Sequence, residues 1–181
     1  MTTCAETVEF LNLVLPRNGV RAACAKFPKG MGQRFVDTNE ELAAILLGWS
    51  EQGLDAYHAC ASFKDRSGRT HANVLAVRSL WLDVDTRITK PDASYADHAE
   101  AAQAVGRFYK IASLPPPSTL VNSGGGLHVY WSLDKDLTLE EWRPYAIKLK
   151  AACLQHGLHI DPVRTADASS ILRTPGTLNH K

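Results

Sequence analysis

Apolar positions recur at two periods along the chain, and the switches between those periods predict its elements. Residues 4–15 (CAETVEFLNLVL) repeat apolar side chains at three- and four-residue steps and stop at Pro16, the pattern of a short amphipathic helix. RAACAKF then reads as a strand and KGMGQRF as a glycine-loosened turn. From Asp37 the helical period returns. In DTNEELAAILLGWSEQG, Thr38 or Asn39 caps the start, acids follow in the first turn, Leu42, Ile45, Leu46 and Trp49 share one face, and Gly53 ends the run. DAYHACASF alternates as a strand, and KDRSGRTHAN is a polar loop. VLAVRSLWLDVDT is a β-rich run consistent with a central strand buried on both faces as far as Asp83.

The second half repeats this grammar. SYADHAEAAQAVGRFYKIA places Ala99, Ala102, Val105, Phe108 and Tyr109 at helical spacing. LPPPS breaks the helix and delivers TLVNS as a strand. Three glycines turn the chain, and LHVYWSL returns as a second strand, making a hairpin. TLEEWRPYAIKLKAACLQHG is a helix entered at Thr138, with Glu140 and Glu141 at its positive end, Pro144 early and Gly157 at its stop. A last strand, LHID, runs into the polar loop PVRTADASS and then ILRTPGTLNHK. Alternating strands and helices with an antiparallel hairpin predict an α+β fold, with helices packed on an antiparallel or mixed sheet.

Composition narrows the class. The 181 residues are 45% hydrophobic and 22% charged, sufficient for one well-formed core, and the net charge of +1 excludes a protein that coats nucleic acid by bulk positive charge. No apolar run is long enough to span a bilayer, and MTTCAETVEF lacks the basic start of an export signal, so a cytoplasmic setting without membrane attachment is expected. Cys4, Cys24, Cys60 and Cys153 form no CxxC pair and read as free thiols.

Candidate chemistry gathers in five places, each with an ordinary structural alternative. Asp83 and Asp85 are two apart in a strand, so they project from one face. They either mark its solvated end or hold a divalent cation that relieves their repulsion. Asp161, closing LHID, either opens an Asp-Pro turn or supplies a third carboxylate beside them. Asp167 lies further into the loop. Ser123, Gly124, Gly125, Gly126 and His128 form either a loose hairpin tip or a nest of amides around phosphate oxygens, with the Ser hydroxyl and the imidazole as added donors. Arg173, Asn179, His180 and Lys181 surround the Pro-Gly turn of RTPGTLNHK, as a solvated tail or as phosphate contacts. Lys64, Arg66 and Arg69 are either ordinary loop charges or a template-binding edge.

In this order, WLDVD, SGGGLHVYW, HID and LRTPGTLNHK resemble the archaeo-eukaryotic primase (AEP) superfamily, and in particular the primase–polymerases carried by phages and plasmids. Asp83 with Asp85, Ser123 through His128, and Asp161 match its three motifs. In the family Ser-x-His has one intervening residue, whereas four separate Ser123 from His128. The resemblance implies an RRM-like catalytic sheet over about residues 76–181, packed on an N-terminal αβ unit over about residues 1–75. It also implies two Mg²⁺ or Mn²⁺ ions held by Asp83, Asp85 and Asp161, with nucleoside triphosphates gripped by the glycine turn, His128, Arg173 and Lys181. The implied partner is a single-stranded DNA template or primer–template, and the implied setting is phage or plasmid replication in a bacterial host. Relatives commonly continue into a helical priming domain, and often into a helicase, so the span can be the catalytic core of a longer protein.

Two other classes fit less of the sequence. A replication-initiator nuclease needs a His-x-His metal pair and a nucleophilic Tyr, and GLHVYW supplies one His. A non-catalytic RRM-like binder needs exposed aromatics on central strands where this chain carries Asp83 and Asp85.

Overall fold

The computed structural model describes residues 2–180. The N-terminal part runs through α1 (Cys4–Val14), β1 (Arg21–Phe27), β2 (Gly30–Val36), α2 (Asn39–Glu51), β3 (Ala56–Ala59) and β4 (Ala61–Phe63). It continues through β5 (Val74–Asp85), α3 (His98–Ile111), β6 (Thr119–Asn122), β7 (Gly126–Leu137), α4 (Leu139–Gln155) and β8 (Ile171–Arg173). The strands form two four-stranded sheets, ordered β2-β1-β3-β8 and β4-β5-β7-β6. Every ladder within them is antiparallel. The fold is therefore α+β, with an antiparallel rather than a mixed sheet.

Helix starts follow local chemistry. Thr3 and Thr138 each exchange hydrogen bonds with the Glu three residues on, forming capping boxes for α1 and α4. Thr38 and Asp97 cap α2 and α3 through their side chains. The Asp97 cap starts α3 at His98, later than the sequence pattern suggests, and the buried face is Ala101, Ala104, Val105 and Phe108 while Ala99 and Ala102 face outward. Pro144 lies at the sixth position of α4, beyond the first turn, where it removes one backbone bond.

Three expected elements differ. KGMGQRF is not a turn: Gly30–Val36 is edge strand β2, paired along its whole length with β1. DAYHACASF is broken at Cys60, so that β3 and β4 enter different sheets. LHID forms no strand; residues 158–161 pass extended along the edge of β5 beyond its short pairing with β4, and one bond fixes them there, Asp161 N–H to Asp83 O at 2.8 Å. The order of β5, α3, β6, β7, α4 and this extended segment reproduces an RRM-like sheet. Residue 75 is not a clean divide between sheets, because β4 joins the second sheet and β8 returns to the first.

Two cores hold the layers. Leu82, Val84, Leu127, Val129 and Trp131, on one face of β5 and β7, pack with Ala101, Val105 and Phe108 of α3 and with Leu149 and Cys153 of α4. On the opposite face, Trp81 and Tyr130 join Phe10, Leu11 and Val14 of α1, Leu42 and Leu46 of α2, and Trp142 of α4. Trp81 stacks on Trp142 with ring centres 5.0 Å apart. Period-2 alternation thus gives the end of β5 one apolar face, Leu80, Leu82 and Val84, and one that changes from Trp81 to Asp83 and then Asp85 as the strand leaves the core.

Candidate active site

Where that face leaves the core, the ends of the two sheets border a cleft of about 410 Å³. Lys26, Tyr57 and Arg173 line it from the first sheet, and Asp83, Asp85 and His128 from the second. The β5–β7 register places Asp83 opposite His128 and Asp85 opposite Gly126, so both carboxylates and the imidazole share one face. His128 Nε2 stands 3.6 Å from Asp83 Oδ1, too far for a hydrogen bond.

Two cations compensate the carboxylates. Arg164 Nε lies 3.2 Å from Asp83 and 3.3 Å from Asp161, bridging the pair. Lys90 Nζ lies 2.5 Å from Asp85. Asp83 is nonetheless pushed up to about 7, first by burial and then by the neighbouring charge of Asp85. The Asp85 contact raises Lys90. Burial holds His128 down at about 3, so its imidazole is neutral at pH 7. Asp83 thus meets one side-chain cation, Arg164, against the repulsion of Asp85 and the cost of burial.

The donor set suits a hard divalent cation. Among the described residues, no three metal-ligating side chains stand close enough together to form a full protein cage. Asp83 and Asp85 offer the one or two carboxylates with which Mg²⁺ is commonly held, the remaining positions being filled by water and substrate phosphates. Asp161 is adjacent, but its Oδ1 accepts from the amides of Val163 and Arg164 and its Oδ2 faces Arg164.

The glycines have a packing reason of their own. Gly124 takes φ +82°, and a side chain on Gly126 would meet Val84 O at 2.1 Å, so only glycine lets β7 begin this close to β5. Gly125 O accepts from Thr86 N and Thr86 Oγ1, both at 3.0 Å. Within the turn, Ser123 N and Oγ both donate to Gly126 O, and Gly124 N donates to Asn122 Oδ1. The donors of Ser123 and Gly124 are therefore engaged in shaping the turn.

Arg173 is not on a solvated tail. It is buried at the cleft wall, where Nη2 pairs with Asp55 at 2.9 Å and the guanidinium stacks over Tyr57. Asn179 follows it to the cleft, donating from Nδ2 to Ser123 O. His180 donates from Nε2 to Ser50 O, and Lys181 lies outside the described residues. Lys64 bonds Ala72 O and Arg66 pairs with Asp37, and neither lines the cleft. Arg69 bonds Ser169 O and lines an adjoining hollow of about 370 Å³ with Asp161, Arg164 and Asp167. Asp167 pairs with His71 there. Arg164 and Lys90 were absent from the residues singled out by sequence, although Arg164 follows Asp161 by three positions and Lys90 follows Asp85 by five.

No protein-family model matches the chain, and none of the curated proteins does. Solved structures do. The AEP domain of the Cyanophage S-2L primase–polymerase superposes with TM-score 0.67 over 97% of this chain and 84% of that one, at 18% identity. The chain has the fold of an AEP primase–polymerase domain. Primase RepB' superposes with TM-score 0.59 at 12% identity, and the AEP-fold chain, 98% covered, spans about half of it (51%). The polymerase domain of Mycobacterium tuberculosis ligase D, solved in complex with DNA, gives TM-score 0.50 at 16% identity over 99% of this chain and 78% of that one. At these identities the likeness is one of fold.

Proposed function

We propose that the cleft transfers nucleotides from nucleoside triphosphates to a 3′ end, or to a first nucleotide, under the direction of a DNA template. The observation that carries this reading is the placement of Asp83 and Asp85 on one strand face, opposite His128 and at the mouth of the cleft. The primase and polymerase domains that share the fold support it.

In this reading Asp83 and Asp85, with Asp161 beside them, hold two divalent cations, Mg²⁺ or Mn²⁺. Bound there, such ions supply Lewis acidity for the attacking hydroxyl and charge neutralisation for the departing pyrophosphate. The protein's own residues orient and exclude. His128, neutral and buried in the cleft floor, donates one N–H toward a phosphate oxygen without adding charge. Arg164, itself at the cleft, holds Asp83 and Asp161 together. The backbone at Gly126 keeps β5 and β7 close, which fixes the distance between the carboxylates and the imidazole. Base choice is left to pairing with the template, for which the site needs only shape and backbone contacts. A setting inside a bacterial cell, in phage or plasmid replication, accords with this chemistry. Among the described residues no helix is long and apolar enough to cross a membrane.

A non-catalytic single-strand binder is separated by metal dependence. The aromatics on the Asp83 face, Trp81 and Tyr130, are buried and offer bases no stacking surface. Calorimetric titration with a deoxynucleoside triphosphate is expected to show binding in Mn²⁺ and none in EDTA. Retention of single-stranded DNA in EDTA, with no nucleotide binding in either buffer, would overturn the reading.

A further inference from the structure

We propose that Lys90 is a phosphate-binding residue of this cleft, held on Asp85 until a metal-bound triphosphate takes its place. The inference rests on the nucleotidyl-transfer reading above and assigns a residue that neither the motifs nor the fold points to.

Three observations carry it. The first is position. Asp85, Thr89 and Lys90 line both the cleft and a neighbouring hollow of about 430 Å³ formed with Asp92, Ser94 and His159. Lys90 thus stands on the ridge between two spaces, with its ammonium reaching the cleft and its stem more than half exposed. An ammonium on a four-carbon stem can swing between acceptors several ångströms apart at small cost.

The second is anchoring. The base of the segment carrying Lys90 is tied to the glycine turn. Gly125 O accepts from Thr86 N, Thr86 Oγ1 and, at 3.4 Å, Thr89 Oγ1. Lys90 N in turn donates to Thr86 O at 3.2 Å, and Arg87 N to Tyr95 O at 2.8 Å. A methyl group on Gly125 would meet Thr89 Oγ1 at 2.2 Å. The close approach that this glycine permits is therefore that of the Lys90 segment. The backbone is fixed while the side chain remains free to turn.

The third is charge. Lys90 and Arg164 face Asp83, Asp85 and Asp161, so two side-chain cations already offset most of the charge of three carboxylates. Lys90 Nζ sits on Asp85 Oδ2, so a divalent cation bound through that oxygen would displace the ammonium. The displaced ammonium is then unpaired beside a polyphosphate, the acceptor that best replaces a carboxylate. Lys90 would thus compete with the metal alone and assist the metal–nucleotide.

The two roles predict shifts of opposite sign in one variant. Lys90→Met is expected to bind Mn²⁺ alone about two- to fivefold more tightly than the wild type, the scale of an exposed ion pair removed from competition. The same variant should bind a non-hydrolysable α,β-imido deoxynucleoside triphosphate in saturating Mn²⁺ about tenfold more weakly, the scale of one charge-assisted hydrogen bond. Calorimetry reads both without turnover, primer or template. Unchanged affinities would make the Lys90–Asp85 contact an ordinary surface pair and overturn the inference. Shifts of the same sign would also overturn it, because a pure blocker tightens both and a disordered cleft weakens both. If the wild type binds neither Mn²⁺ nor the analogue, the nucleotidyl-transfer reading itself fails, a result distinct from the variant's behaving like a competent wild type.

Discussion

At the residue scale, the glycine triplet shows how one sequence feature can satisfy packing and chemistry together. Gly126 is required because a Cβ there would overlap the Val84 carbonyl, a backbone atom that cannot yield without separating β5 from β7. Gly126→Ala is expected to destabilise the protein by roughly 2–3 kcal/mol, the scale of overpacking in a tight core, as read by urea denaturation. Gly106→Ala supplies the contrast. That residue lies in α3 with nothing within 4 Å of an added methyl, so the change should stabilise by about 0.5–1 kcal/mol. Equal effects at the two sites would contradict the close-approach account. The Asp83 and Asp85 pair was legible because period-2 projection is local. The cations beside it were not. Lys90 reaches Asp85 only through the path of the segment after β5, and Arg164 reaches Asp83 only because residues 158–161 dock along β5.

At the element scale, the strands with clean alternation are those the sequence discloses, and the exceptions share a cause. β2 is largely exposed and glycine-bearing, and it is a strand because β1 pairs with it. β8 is three residues long and exists through its pairing with β3. The break at Cys60 separates two sheets, which a nine-residue alternating run cannot announce. β8 is also secured by charge, through the buried Arg173–Asp55 pair at the cleft wall. Removing one partner of such a pair strands the other in low dielectric. Asp55→Ala should therefore cost about 3 kcal/mol or more in denaturant unfolding, by analogy with other broken buried pairs. A loss below about 1 kcal/mol, the value of a surface pair, would show that the pair does not secure β8.

At the scale of the whole molecule, the apolar core between the two sheets encloses one titratable ring, that of His58, beside Phe10 and Tyr130. His58 is fully buried on β3, bonded through Nδ1 to Thr174 Oγ1 at 2.9 Å. Burial holds it down at about 3, against an ordinary value of 6.5. Between those values the unfolded chain takes up a proton that the folded chain refuses, so stability is full above about pH 6.5 and falls as pH drops toward 3. From this group alone the loss at pH 5 is of order 1–2 kcal/mol relative to pH 7. Comparing urea unfolding at the two pH values in wild type and His58→Gln checks it: the acid-induced loss should shrink in the variant, and an identical loss would remove His58 from the account.

The central claim is that Asp83 and its neighbours form a metal-dependent nucleotidyl-transfer site on the AEP fold. Its most direct test is extension of a labelled primer–template by wild type and by Asp83→Ala, with Mg²⁺ or Mn²⁺ and with deoxy- or ribonucleoside triphosphates, the folding of the variant being verified by its unfolding transition. The account predicts metal-dependent extension by the wild type and a loss of at least about a hundredfold in a folded Asp83→Ala, the scale on which removing one transition-state electrostatic contact acts. Near-normal extension by that variant would contradict it.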